Sequence, residues 1–457
     1  MGAAPAFARL NAAPESCAQD YAQGLLADLG DSFGALKAAP VQVEEEHPAV
    51  TWAQSGLMSL TGFADGDPLM CPAPLAACAD GALAALEALA SADFRGQRGS
   101  QLLAVRAAIA GYSRQGESSP GGSCRLLPAA DGILAVNLAR DSDWELVPAW
   151  LEAEVAPAWN AVAAVIRTTP ARQLEERARL LGLAVARSQL PASSTGWFSV
   201  AARGGQARPD KRAPRVVDLS ALWAGPLCAE LLHRCGAEVI KVESSQRPDG
   251  ARNGPRAFFD LLNAGKASVA LDFATEHDRS RLRELITGAD IVIESSRPRA
   301  LRQVGIHAEE LIAKRPGLTW ISLSGYGRDE PQNNWIAYGD DAGVAAGLSE
   351  LMRLATGRAC MVGDAIADPL TGIHAALVAW ADWQSGGGAL LSLSLRDVVR
   401  NCMNVDLPAG GELRRRQAEW TGRAGPVLRP TVHARARLLG AVARGPAPVP
   451  ERVTADG

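Results

Sequence analysis

Between Pro214 and Leu395 the chain alternates short apolar runs with stretches of helical spacing. The runs are Val216-Val217-Asp218-Leu219-Ser220, Val239-Ile240-Lys241-Val242-Glu243, Ser268-Val269-Ala270-Leu271-Asp272, Asp290-Ile291-Val292-Ile293-Glu294 and Leu318-Thr319-Trp320-Ile321-Ser322-Leu323. Each has the length and apolar character of a buried strand. Ala224-Gly225-Pro226 predicts a tight turn, followed by a helix over Leu227 to Cys235, and further helices are predicted at roughly 275–287 and 307–314. Strands alternating with helices predict an α/β fold: a Rossmann-like, mainly parallel sheet whose ligands collect at the carboxyl ends of its strands. The usual dinucleotide fingerprint G-x-G-x-x-G does not follow the first strand, although a helix start there can still hold a phosphate.

The first half has a different pattern. Asp131-Gly132 between two apolar runs predicts a hairpin, and Pro170 to Leu183 predicts a helix with Thr169 as its N-cap. Together they predict a small α+β domain at about 118–190. Gly204 to Arg215 has the composition of a linker, and Gly425 to Pro450 is too proline-rich for regular structure. The N-terminal segment echoes the second half. Cys71 to Ala110 resembles Cys360 to Asn401, the segment from Trp52 to Leu57 resembles that around Gly339 to Val344, and Gly24 to Gly30 resembles Glu230 to Gly236. Laying Gly81 over Gly372 puts Ala77 where Asp368 stands, so this copy lacks the carboxylate and most of the strand-forming sequence. The division expected is a degenerate first copy at 1–117, a small domain with linker at 118–205, an α/β domain carrying the chemistry at 206–410, and a proline-rich tail at 411–457.

Composition narrows the class. At 457 residues the chain is long enough for two or three domains, and a formal net charge of −4 gives no reason to expect a nucleic-acid partner. No apolar run approaches the length of a membrane span. Met1 to Pro5 lacks the basic start of a secretory signal, and the eight cysteines form no CxxC pair, so the expectation is a cytoplasmic protein without a structural metal. The chemically informative segment is Gly363 to His374. Pro369 suits a first helical position and makes Asp368 the natural N-cap, an ionised carboxylate able to attack an activated acyl group. Asp364 is the competing carboxylate. His374 among alanines has the setting of a packed core residue. Lys266 fits equally a nucleotide contact and a solvent-exposed strand start.

These residues resemble the family III CoA-transferases, which include formyl-CoA transferase, the carnitine CoA-transferases and the α-methylacyl-CoA racemases. The resemblance rests on Val217-Asp218-Leu219-Ser220 leading to Ala224-Gly225-Pro226, on Gly236 to Glu243, on Leu262 to Lys266 and Leu271-Asp272, and on Gly363-Asp364 to Gly372 with Gly386-Gly387-Gly388. It covers roughly 214–402 well and the first half weakly. It implies coenzyme A as substrate and product, an acyl-CoA and a small carboxylic acid as partners, no metal, and a homodimer or a pseudo-dimeric monomer. It implies that Asp368 is the catalytic residue, forming first a mixed anhydride and then an aspartyl-CoA thioester. It places CoA against Trp223, Ala224, Leu271, Ser295, Ser296 and Arg302. Gln303 and Ile336 stand where some members carry basic residues, Arg302 is adjacent to the first of these, and the glycine loop of formyl-CoA transferase has no counterpart, Gly386 to Gly388 fitting a helix end and hairpin turn. Asp340 falls where the racemases need a histidine, which favours transfer. Racemisation and non-catalytic CoA binding are the alternatives.

Overall fold

The computed structural model describes residues 17–94, 96–190, 196–207, 212–408, 410–428 and 451–452. Among them are two sheets. The smaller is antiparallel, with order β1-β2-β3 formed by β1 (Cys124–Pro128), β2 (Ile133–Asn137) and β3 (Ala184–Arg187). The Asp131-Gly132 turn does join β1 to β2, as a four-residue loop closed by Ala129 N–H on the Gly132 carbonyl. The helix after it runs Ala171–Leu181, and Thr169 is not its cap. The Thr169 hydroxyl bonds back to Val165, and the free amide of Ala171 is taken by Asp131 Oδ1 at 2.7 Å, so the hairpin turn caps the helix.

The larger sheet has the order β11-β7-β6-β5-β8-β9-β10-β4. Its strands are β4 (Ser199–Arg203), β5 (Arg215–Asp218), β6 (Glu238–Ser244), β7 (Ala267–Leu271), β8 (Ile291–Glu294), β9 (Thr319–Ser324), β10 (Ala389–Ser394) and β11 (Glu451–Arg452). All neighbouring pairs are parallel except β10 with β4. The five runs identified from their apolar character form β5 to β9. β10 is buried along its whole length, as a strand covered on both faces must be.

Three local expectations need correction. Ala224-Gly225-Pro226 is no separate turn but the first turn of a helix that runs Ala224–Arg234. The helix that holds Asp368 runs Ala367–Gln384 with Ile366 as N-cap, so Asp368 is its second residue and not its cap. Gly386, Gly387 and Gly388 all have positive φ and carry the chain from that helix into β10, at the sheet edge opposite the helix start; they form no hairpin. Within the segment expected to be a proline-rich tail at 411–457, Leu413–Arg423 is a helix whose Trp420 packs edge-on against His47, while most of the stretch from Gly425 to Pro450 expected to lack regular structure, from 429 on, lies outside the described residues.

The two halves share one apolar core, in which Tyr21, Leu25 and Leu83 of the first lie with Leu227, Leu370 and Leu377 of the second. Two glycines set how closely the helices of this core meet. A Cβ on Gly372 would lie 2.7 Å from the Ala224 carbonyl oxygen, and one on Gly81 would collide with that of Ala18. The offset that lays Gly24 over Glu230 also lays Ala18 over Ala224. The helix pair Cys17–Phe33 with Leu75–Ala90 therefore crosses at positions matching the pair Ala224–Arg234 with Ala367–Gln384.

Gly81→Ala and Gly372→Ala should each destabilise the chain by about 1–3 kcal/mol through overpacking. Gly30→Ala, whose Cβ would meet nothing within 4 Å, should be neutral or stabilising. Urea denaturation midpoints of the three variants check this, and equal midpoints would remove the close-approach argument.

Candidate active site

The loop from Leu219 to Trp223 leaves the carboxyl end of β5 over a buried polar network. Lys266 Nζ reaches Asp218 Oδ2 (3.2 Å) and the Pro226 carbonyl (2.9 Å), so it is neither a surface lysine nor free to meet a nucleotide. Lys241 Nζ pairs with Asp249 Oδ2 at 2.9 Å and takes the Ser220 carbonyl at 3.0 Å. Asp249 Oδ1 accepts from Leu222 N–H, and Ser295 Oγ accepts from Ala221 N–H. Burial alone would raise the Asp218 carboxyl, but Lys266 and Lys241 outweigh it and hold the group below its usual range. Held this way, Leu222 takes φ of 71°, a conformation that a leucine rarely adopts unless its surroundings impose it. Trp223 is thereby turned inward beside Phe258.

Asp368 lies at the same edge of the sheet. Gly339, the first residue of the helix Gly339–Ala346, donates its backbone N–H to the Asp368 carboxyl, and any side chain there would strike that carboxyl. Asp340 Oδ1 accepts from Ala365 N–H (2.8 Å), at a residue with φ of 44°. Asp341 Oδ1 accepts from Tyr338 N–H and from Asn137 Nδ2 of the small sheet, both at 2.9 Å. Asp364, fully buried, is held by the Arg106 guanidinium through Nε at 2.8 Å and Nη2 at 2.5 Å. The same guanidinium sits 5.3 Å from the centre of the Trp223 ring.

Three carboxylates thus share one cation. Burial, with Asp340 and Asp364 adding to it against Arg106, pushes the Asp368 carboxyl up to about 7. Burial and the Asp364 charge push Asp340 up to about 6. The expectation of a permanently ionised Asp368 is therefore corrected. A carboxyl with this acidity is half ionised near neutral pH, where its basicity and nucleophilicity exceed those of an ordinary aspartate. Among the described residues no group of three or more His, Cys, Asp or Glu side chains has the arrangement of a metal site.

The other sequence-derived positions divide. Trp223, Ala224 and Ser295 belong to the loop just described, and Ser296 follows Ser295 at the end of β8, half-buried. The Leu271 side chain is fully buried in the apolar layer with Leu282 and Ile286, so only its backbone faces the strand end. Arg302 is exposed and engaged by Glu309 at 3.0 Å. His374 is a core residue, its Nε2 2.7 Å from the Tyr21 hydroxyl. Sequence reasoning missed Arg106 and a group of arginines at the strand ends. Arg297, half-buried after β8, is held below its usual range by burial and by the charges of Arg299, Arg140 and Arg247. Gly182 of the small domain approaches both Arg297 Nη1 and Ile336, so an arginine stands beside the position where some members of the resembled family carry lysine.

Residues 214–434 match the model of CoA-transferase family III. Succinyl-CoA–D-citramalate CoA-transferase of Chloroflexus aurantiacus is 30% identical over 42% of this chain and 51% of its own length. Succinate–glutarate CoA-transferase of Agrobacterium fabrum is 30% identical over 42% and 53%. Formyl-CoA:oxalate CoA-transferase of Escherichia coli is 28% identical over 42% and 49%. A CAIB/BAIF family protein of Brucella suis with a solved structure is 30% identical over 43% of this chain and 55% of its own, with a TM-score of 0.38. The chain spans about half the length of the curated relatives it matches.

The raised acidity of Asp368 has a consequence for stability. Its folded value of about 7 lies above the unfolded value of roughly 4. Between those limits the native state keeps a proton that the unfolded chain releases, so stability falls as pH rises through this window and is level above it. Asp368→Asn should therefore be more stable than the parent at pH 8, by up to roughly 4 kcal/mol, a ceiling of about three pKa units. The gain should shrink to about 1 kcal/mol near pH 4.5. Urea titrations at the two pH values measure it, and an equal difference at both would show that Asp368 is not held protonated.

Proposed function

We propose that the chain is an acyl-CoA:carboxylate CoA-transferase with Asp368 as its nucleophile. The observation that carries this reading is a half-buried carboxyl, held by the Gly339 amide at the carboxyl edge of a family III sheet and faced by Arg106 and the Trp223 loop. Asp368 attacks the thioester carbonyl, and CoA leaves as thiolate from a mixed anhydride. The thiolate then attacks the aspartyl carbonyl, releasing the donor acid and leaving CoA on Asp368. The acceptor carboxylate attacks that thioester to form a second anhydride, and the thiolate returns to the acceptor's acyl carbon, regenerating Asp368. Covalent storage keeps the thioester energy from being lost to water.

Arg247, Arg297, Arg299 and Arg140 gather where the phosphates of CoA would lie in this arrangement, at the ends of β6 and β8 and on the facing small domain. They supply the cations absent from Gln303 and Ile336. The succinyl and dicarboxylate substrates named for two relatives make succinyl-CoA with small dicarboxylates the first pairs to try. The N-terminal half fits a decayed copy of the same unit, with Ala77 in place of the nucleophile, so one site per chain is expected, in a dimer or in a monomer whose two halves mimic one.

Incubation with succinyl-CoA followed by hydroxylamine or borohydride should modify the peptide holding Asp368. Asp368→Ala should lower CoA exchange by at least roughly a thousandfold while circular dichroism stays unchanged. Modification at Asp364, or exchange that survives in Asp368→Ala, would overturn the assignment. Replacing Arg247 and Arg299 together by alanine should raise KM for the acyl-CoA about tenfold or more at nearly constant kcat, each charged hydrogen bond contributing roughly 1.5–3 kcal/mol. A change confined to kcat would place the phosphates elsewhere.

A further inference from the structure

We propose that Arg106, contributed by the N-terminal half, is a positioning residue of the catalytic centre: it holds Asp364, backs Trp223 and keeps Asp368 available as a carboxylate. This rests on the reading of Asp368 as the nucleophile and extends it to a residue outside the family-matching segment 214–434.

The geometry has three parts. Arg106 lies on the short helix Val105–Ala110 and spans 258 residues of sequence to make a two-point contact with Asp364. Its side chain is 29% exposed while that of Asp364 is 0% exposed, so one face of the guanidinium is committed to a buried anion and the rest stays near solvent. The Trp223 ring lies over that guanidinium, tying the β5 loop to the same cation.

The charges around Asp368 come from every side of the site. Asp340 lies on the helix Gly339–Ala346, Asp364 in the turn before the Asp368 helix, and Arg106 on the first-half helix, while the Gly339 amide donates to the carboxyl itself. Ser119, from the segment before β1, donates to Asp340. The attraction of Arg106 for Asp340, Asp364 and Asp368 raises its own proton affinity despite burial. Against these carboxylates Arg106 is the opposing charge. With a neutral side chain in its place, Asp364 becomes a buried anion without a counter-ion, and ionising Asp368 beside it costs more. The nucleophile would then be protonated at neutral pH and recover only in alkaline solution.

This account explains why a half of the chain that lacks a nucleophile still matters to the reaction. The first half brings a charge to the second half's site, as a partner subunit does in an assembly whose sites are built at the interface.

The test is the pH dependence of kcat/KM for succinyl-CoA exchange in the full chain, whose acidic limb reports the ionisation of the free enzyme's essential base. In Arg106→Met that limb should move up by about one unit or more. Activity at pH 6.5 should fall about tenfold, and activity at pH 9 should stay within about threefold of the parent. Arg106→Lys keeps the charge, and its limb should stay much closer to the parent's. Should Arg106→Met fail to fold, Arg106→Gln carries the same comparison. A limb that stays in place, a loss that is uniform across pH, or a lysine variant shifted as far as the methionine variant would overturn the inference. Absence of Asp368-dependent exchange in the parent would instead overturn the reading beneath it.

Discussion

The buried pairing of Lys266 with Asp218, and of Lys241 with Asp249, is the constraint on which the site's arrangement depends. Each of these side chains is almost wholly removed from water, and a charge so placed is tolerated only with its partner and further hydrogen bonds. Here those further bonds are made by the β5 loop. The Ser220 amide goes to Asp218, the Ser220 carbonyl to Lys241 and the Leu222 amide to Asp249. The loop cannot relax without leaving a buried ion under-satisfied, so it keeps the strained Leu222 conformation and the inward Trp223. The constraint on the loop thus lies beneath it, in side chains shut off from solvent.

How legible this was varies by residue. β5, β6, β8 and β9, largely buried, were readable because strands covered on both faces must be continuous apolar runs, and β7 was readable from its Val269 to Leu271 run although most of it is half-buried. β4 escaped because it is an edge strand whose residues are at best half-buried, and Ser199 to Arg203 carries little hydrophobic signal. The start of the Asp368 helix was misread by two residues. Asp-Pro is a common helix opening, but Ala365 at positive φ ends the preceding turn early and lets the helix begin at Ala367. The nucleophile candidate was visible because a local motif surrounds it. Its acidity was not, since that depends on Asp340 and Asp364 meeting it in space. Arg106 was invisible for the same reason: nothing near Val105–Ala110 in sequence marks it, and its partner lies in the other half. The arginines at the strand ends come from separate segments and could not be grouped before the fold brought them together.

The two glycine contacts in the shared core join these points. A helix that must carry an acidic group into an apolar interior needs a neighbour close enough to exclude water and fix its direction. Gly372 provides that for the Asp368 helix by meeting the carbonyl of Ala224, the residue that follows Trp223. The loop and the Asp368 helix therefore share a backbone contact, and a shift of either is felt by the other. At Gly81 and Ala18 a similar close contact occurs, on a helix whose own buried carboxyl, Asp80, is taken by Arg98 and the Ser100 amide.

The link between Asn137 and Asp341 bears on how the small sheet is attached to the rest of the site. It is a buried hydrogen bond from the small sheet to the start of the helix that also carries Gly339 and Asp340. Displacing the small sheet would break this bond and leave Asp341 with the Tyr338 amide, at a cost of about 1 kcal/mol. The small sheet is therefore tied to the helix whose first residue meets Asp368, and a displacement of the sheet pulls on the same backbone that holds that carboxyl.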